Sequence, residues 1–390
     1  MRHPVTYSSE EPGGFRAARA ARAARAARAA LATCATRAVH TDCATRAARA
    51  TRAFHSARAV SGLAVAAALA LFASACAPLP SRDTGGPSLP ESDFRPPTLL
   101  EAGPSDGRTF SVLFDEAIQP VAGSFGLEPP AGELSASAEG EALTVGFAED
   151  ASPGLDYSLA GEVEDASGNR CRFVLSFTGY NSRPALLCIS ELQPQKNSST
   201  KAPHRDYVEF LVLEAGNLGG LEFSWASSTK LMAYRFPAAE VLAGDYLVLH
   251  LAPEGLASEV DETGNDPAAS GGIDATATAR DFWSGAGGLP DESGALSLRT
   301  RPGGLSQDAL FYAADDKSGA VGEGKLADLL SAVGGEGAWV FGGKAAAWED
   351  AFRWHPSAAR SIYRIEGTDT QGAGDWLVSE ASGQTPGGPN

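Results

Sequence analysis

Aromatic residues make up only 8% of this 390-residue chain. No apolar run reaches the roughly 20 residues that a bilayer-spanning helix needs, so a polytopic membrane protein is excluded. Five cysteines in such a length rule out a small disulfide-stapled scaffold. Glycine and proline number 44 and 24, about 17% together, without the one-in-three glycine of a collagen-like fibre. That share is also below the roughly 25–30% at which composition alone signals disorder. What the chain does have is 43% hydrophobic residues, enough to bury at least one sizeable core, and a length that suggests about two domains.

Charge divides the chain. Residues 1–75 hold eleven Arg and three acids (Glu10, Glu11, Asp42), a net of +8, which leaves 20 basic and 45 acidic residues, a net of −25, for the rest. A body so acidic repels phosphate backbones and anionic headgroups across a Debye length of about 8 Å. Nucleic-acid binding, which rests on Lys and Arg displacing counterions, is therefore not expected.

Residues 1–59 form a basic low-complexity leader in which Arg16, Arg19, Arg22, Arg25 and Arg28 recur every three residues. That period precesses around a helix, so these arginines make no single face. The leader reads either as a basic arm or as translation from a start codon placed too early. Val60–Ala75 (VSGLAVAAALALFASA) follows four arginines and is apolar or small throughout, the pattern of a secretory signal. Ala73-Ser74-Ala75 leads directly into Cys76. This arrangement resembles the lipobox of bacterial lipoproteins, although Ala73 stands where Leu is commonest. The resemblance implies acylation of the Cys76 sulfur, cleavage just before it, and a lipid anchor on a bacterial membrane facing the periplasm or the cell surface. Six prolines within residues 76–97 make a semi-rigid tether beyond it.

From 98 to 180 the sequence predicts short antiparallel strands at Thr109–Phe114, Ala142–Phe147, Tyr157–Val163 and Cys171–Phe177, with an Asx turn at Asp165 and positive φ at Gly168. The segments Phe110–Ile118, Pro153–Tyr157 and Val163–Asn169 resemble bacterial immunoglobulin-like domains, in which such sandwiches serve as spacers or binding modules.

From 186 to 390 further strands are expected at Leu187–Leu192, Tyr207–Leu213, Leu221–Trp225, Tyr246–Leu251, Ala295–Leu298 and Ala309–Tyr312. Short helices are expected at Lys325–Val333 and Ala345–Trp354, covering an edge or end of the sandwich, and an inserted loop over Pro253–Pro290. Ile189-Ser190-Glu191, Asp206–Phe210, Leu218–Leu221, Gly244–Leu249 and Asp308–Tyr312 appear in order. Ser361–Arg364, Asp369-Thr370, Asp375-Trp376 and the closing Thr385-Pro386-Gly387-Gly388-Pro389-Asn390 follow. The ordered set resembles a lamin tail domain, with Val212 where that family often has Asn. The expected class is thus all-β, two sandwiches in series.

Motifs with chemistry are weak. Gly319–Lys325 has phosphate-loop spacing, but Leu326 replaces the hydroxyl residue that would bind magnesium. His204-Arg205-Asp206 spells a kinase triplet with none of its companions. Asp261, Glu262, Asp266 and Asp274 depart from a calcium-hand pattern and read as a solvated loop. His204, His250 and His355 are too scattered for zinc. No catalytic residue, metal or cofactor is expected. Phe282, Trp283 and Trp354 read either as a contact patch or as core. Cys171 and Cys188 flank the junction between the two sandwiches. In an oxidising compartment a bridge between them would add about 3 kcal/mol, and two separately buried thiols are the other reading. The expected role is an anchored structural, adhesive or protein-binding module, or else a non-catalytic partner of an extracellular hydrolase.

Overall fold

Alternation of apolar and polar residues sets the strands of the first half. The computed structural model describes residues 93–196, 204–343 and 345–390. Its first strands are β1 (Leu99–Pro104), β2 (Thr109–Phe114), the short β3 (Gln119–Pro120) and β4 (Gly126–Glu128), then β5 (Leu134–Glu139), β6 (Ala142–Phe147), β7 (Asp156–Glu164) and β8 (Arg170–Thr178). Along β2, Phe110, Val112 and Phe114 turn inward while Ser111 and Leu113 face out. β1, β2, β6 and β5 form one antiparallel sheet. In the other, β7 carries β8 along its whole length and β3 and β4 on its opposite side. Between them lies a core of Phe110, Phe114, Leu143, Val145, Leu159, Val163 and Phe173, and the ring of Phe177 stacks on those of Tyr157 and Phe147.

The second half is a larger sandwich. Its strands are β9 (Leu186–Gln193), β10 (Tyr207–Glu214), β11 (Gly216–Asn217), β12 (Glu222–Ala226), β13 (Leu231–Arg235), β14 (Glu240–Val241), β15 (Tyr246–His250), β16 (Arg280–Trp283), β17 (Gly294–Arg299), β18 (Ser306–Ala314), β19 (Phe352–Trp354), β20 (Ile362–Arg364) and β21 (Trp376–Val378). One sheet runs β16-β15-β10-β9-β20-β21 and the other β13-β12-β17-β18-β19, with β11 and β14 paired separately. Ile189, Phe210, Phe223, Trp225, Leu249 and Leu310 fill the space between.

The helix α1 (Lys325–Gly335) forms where periodicity placed it, but it lies on the face of the second sheet, chiefly against β17, and not at an edge. Leu326, Leu329, Leu330 and Val333 are its buried side. This is why β17, covered on both faces, is buried at every position. The second expected helix is absent. In its place stand a single 3-10 turn at Trp348–Asp350 and the strand β19. The Asp350 carboxylate accepts the N–H groups of Ala347 and Gly342 at 3.0 and 2.8 Å, and Ala351 is extended. Phe352–Trp354 then pairs in parallel with β18, which buries Phe352 and Trp354 more completely than an exposed helix would. The expected loop over Pro253–Pro290 likewise contains a strand, β16, parallel to β15.

Asp93–Asn390 is one compact unit, and its two cores meet through backbone. Gly154, at φ 77°, lies so close to Gly219 and Gly220 that any Cβ would collide with their main chain. Asn181 Nδ2 donates to the carbonyls of Asn217 and Gly219, both at 2.9 Å, and Arg235 pairs with Asp156 at 2.6 Å. Gly154→Ala is expected to cost about 2–3 kcal/mol, from the positive φ and the clash together. Urea denaturation measures it, and an unchanged midpoint would show that this contact does not hold the cores together.

Candidate functional site

Two glutamates face each other inside the second sandwich. Glu191 on β9 is directly opposite Glu209 on β10, and neither side chain is exposed. Every residue of β9 from Leu187 on is buried, because this strand is central in its sheet and covered on both faces. The Tyr207 hydroxyl donates to Glu191 Oε2 at 2.9 Å, the Ser361 hydroxyl to Oε1, and the Thr385 N–H to Oε2 at 3.2 Å. Glu209 accepts the Ser190 hydroxyl at 2.6 Å and the N–H groups of Gly387 and Gly388 at 2.7 and 3.3 Å. The C-terminal turn is thus a lid of amide donors over two carboxyl groups. Gly387 is required there, since its φ is 83° and a Cβ would strike Thr276 and Thr278. Burial is the largest influence on both acids and pushes Glu191 up and Glu209 up to about 8, with the charge of Glu191 adding to the latter against its hydrogen bonds.

Beside them Arg364 on β20 enters the same interior. Its Nε donates to Ile189 O at 2.9 Å and its guanidinium pairs with Asp308 at 2.6 Å, while Asp308 also accepts the Ile189 N–H at 2.7 Å. Asp369 and Asp375 lie 3.5 and 4.0 Å away, and the guanidinium sits 4.5 Å above the ring of Trp376. Burial opposes the charge, but the three carboxylates outweigh it and hold the Arg364 pKa above its ordinary value. Asp375 in turn accepts the N–H and hydroxyl of Thr370.

The sequence pieces that carried the lamin-tail resemblance therefore meet in two clusters along β9. Ser190, Ser361 and the closing turn bind Glu209 or Glu191, while Asp308 and Asp375 gather around Arg364, and the two clusters sit along β9 at Ile189–Glu191. Chemically this is a tie between β9, β10, β18, β20 and the C-terminus. Its oxygen atoms are filled by protein donors, an arrangement suited to locking a fold. Val212, where the family often has Asn, is buried within β10 and donates to Asp245 O, so it continues the strand.

Cys76, Ala73, Ser74 and Ala75 lie outside the described residues, as do the leader, the signal segment and the tether as far as Ser92. The bridge between Cys171 and Cys188 is not formed. Cys171 packs from β8 against the first core, where burial and then Asp115 push its thiol up, and Cys188 is buried on β9 opposite Leu211.

In the phosphate-loop look-alike, Gly319 N–H goes to Glu349, Val321 N–H to Ala346 O and Lys325 N–H to Ser228 O. Three of the N–H groups that would cradle a phosphate are thus already engaged. Within His204-Arg205-Asp206, His204 pairs with Asp274 at 2.7 Å, and Asp206 accepts Leu289 N–H at 2.8 Å and is pushed by burial to about 7. The acidic loop is solvated as expected at Asp261 and Asp266, which are exposed, but not at Glu262 and less so at Asp274. Glu262 is buried and accepts Ser270 and Asp281 N–H, Asp261 accepts Trp283 N–H, and Asp274, at φ 66°, also accepts Arg205 N–H. Asp261 and Glu262 both bind the backbone of β16, and Asp266 accepts the Ala268 N–H.

His250 is wholly buried, bonded through Nε2 to Asp281 at 2.8 Å and stacked on Trp283 at 4.0 Å, and His355 lies in the open near Asp315. Phe282 and Trp354 belong to the core.

Sequence reasoning missed one convergence. Carboxylate oxygens of Asp93, Glu116 and Asp165 lie within 4.8 Å of one another, an arrangement that could hold a cation. Burial and then the neighbouring Asp165 and Asp93 charges push Glu116 up. Asp165 is held low because N–H groups of Asn169 and Ser167 outweigh its burial, the expected Asx turn. The three positions are far apart in the chain, and no periodic signal links them.

Comparison with known proteins gives a family match, TP_1001_2nd, described as a protein second domain, over residues 185–378, just under half of the chain. An uncharacterized protein of Treponema pallidum (strain Nichols) is 34% identical over 189 residues, and the match spans about half of each chain, 47% in both cases. Among solved structures, the N-terminal part of the bacterial S-layer protein SbsC aligns over 56% of this chain and 44% of its own at 14% identity. Its TM-score of 0.20 is too low to carry an argument.

Proposed function

We propose that this chain is an exported bacterial lipoprotein, acylated at Cys76, whose β-sandwich body works as a structural, adhesive or protein-binding module and not as a catalyst. The observation that carries the reading is that the buried charged groups of this interior are committed to protein partners: Glu191 and Glu209 to hydroxyl and N–H donors that include the turn at 385–388, and Arg364 to Asp308 and Ile189. Catalytic carboxylates must reach a substrate, whereas these hold strands together. The apolar stretch ending in Ala73-Ser74-Ala75-Cys76, the proline-rich tether and the acidic body support export and anchoring. We assign residues 98–180 to an immunoglobulin-like module and 186–390 to a lamin-tail-like one.

Radiolabelled palmitate fed to cells making the full chain is expected to enter the wild-type protein, and Cys76→Ala is expected to lose at least nine-tenths of that label. No label in the wild type, or label that survives the substitution, would remove the anchor from the proposal.

A further inference from the structure

We infer that β8 is a self-association edge, through which two copies of this chain pair antiparallel about Val174. The inference concerns the first sandwich alone and does not rest on the lipid anchor. β8 is nine residues long and pairs with β7 and no other strand among the described residues. Its register against β7 runs one to one from Arg170 to Thr178 without a bulge, and it contains no proline. Natural edge strands are usually blunted by a bulge, a proline or charged side chains, since an open row of N–H and C=O groups accepts another strand. Of these β8 has only Arg170 and Arg172, both paired with acids of β7. The edge strand β1 of the facing sheet shows such a device, a register shift between Leu99 and Glu101. The edge strand β5 turns only Ser135, Ser137 and Glu139 outward.

The outer face of β8 reads Arg170, Arg172, Val174, Ser176 and Thr178, and Val174 at its midpoint is 71% exposed. This order selects the occupant and the register. A second copy of β8 running antiparallel and overlapping along the full strand puts Val174 against Val174, Arg172 against Ser176 and Arg170 against Thr178. Apolar meets apolar, and no like charges stand opposite each other. A slip that centres the pair on Arg172 would oppose two guanidinium groups. The contact is isologous, as a closed dimer requires. One strand pair buries less than the roughly 1,200 Å² of a stable interface, so the dimer is weak and reversible.

Sedimentation velocity of the full-length chain over a concentration series tests the inference. The wild type is expected to show a reversible monomer–dimer equilibrium. Val174→Arg places two cations face to face at the two-fold axis and is expected to raise the dimer dissociation constant at least about tenfold. Because Val174 faces solvent, its circular dichroism and melting temperature stay as in the wild type. Val174→Thr, which keeps the β-branched shape, is expected to dimerise like the wild type. Leu242→Arg, at a position 69% exposed in the second sandwich, is expected to do the same. A wild type that stays monomeric up to its solubility limit, or a folded Val174→Arg protein that dimerises normally, overturns the proposal.

Discussion

Replacing Arg364 with Met is expected to destabilise the folded chain by about 3–5 kcal/mol. The guanidinium is more than nine-tenths buried and lies among Asp308, Asp369 and Asp375. Removing it leaves carboxylates with no cation, strips the Ile189 carbonyl of its donor and uncovers the face of Trp376. Losing one partner of a buried pair costs more than the pair contributes, because the remaining charge stays desolvated. Arg364→Met combined with Asp308→Leu should therefore cost less than the sum of the two single changes. Arg364→Lys should lose nearly as much as the methionine variant, since one ammonium cannot reach both Ile189 O and Asp308 as a planar fork does. Urea denaturation of the four proteins gives the cycle. A loss below about 1 kcal/mol for Arg364→Met would mean that this ion pair is as weak as an exposed one.

Stability is also expected to fall as the pH rises from about 5 to about 9, by about 5–7 kcal/mol. Asp206 is pushed up to about 7 and Glu209 to about 8, in both cases chiefly by burial, and Glu191 moves in the same direction. In the unfolded chain such acids titrate near pH 4. Across the interval between, the folded state keeps protons that the unfolded state has released, so raising the pH favours unfolding. This contribution is complete below about pH 4 and lost once the pH passes the folded values. Other carboxylates act in the opposite sense. Asp115 is held low by the Thr98 N–H, Glu162 by Arg172 and Glu349 by the Gly319 N–H, so their contribution is lost at acid pH. The maximum is therefore expected near pH 5. Glu209→Gln keeps an oxygen for Gly387 and Gly388 but cannot ionise. It should flatten the alkaline limb, matching the wild type near pH 5 and exceeding it near pH 9. Thermal melts of both proteins from pH 4 to 9 test this, and parallel profiles would exclude Glu209 as the source.

The strands that alternate strongly were legible from sequence. Those at Thr109–Phe114 and Ala142–Phe147 were read to the residue, because large apolar side chains at every second position have only one way to reach a core. β5, by contrast, alternates serine with alanine and offers too little apolar contrast to be seen. At 345–354 the spacing of Trp348, Ala351 and Phe352 suits a helix, yet pairing with β18 buries Phe352 and Trp354 better, and tertiary packing overrode local periodicity. In the network, each short motif was visible by itself. That Ser361 meets Glu191, Arg364 meets Ile189 and Gly387 meets Glu209 was not, because no local rule connects positions 170 or more residues apart. The acidic loop misled for a related reason: buried caps and solvated acids look alike in a one-dimensional string.

The lid over Glu209 also sets an order of events in time. Its donor, Gly387, follows it by 178 residues, and contacts this far apart form slowly because a long loop must close first. While the nascent chain is still being made, the larger sandwich has two acids in its middle and nothing to cover them. The latch becomes available only once residues 385–388 have left the ribosome, so this half closes after its strands have been made.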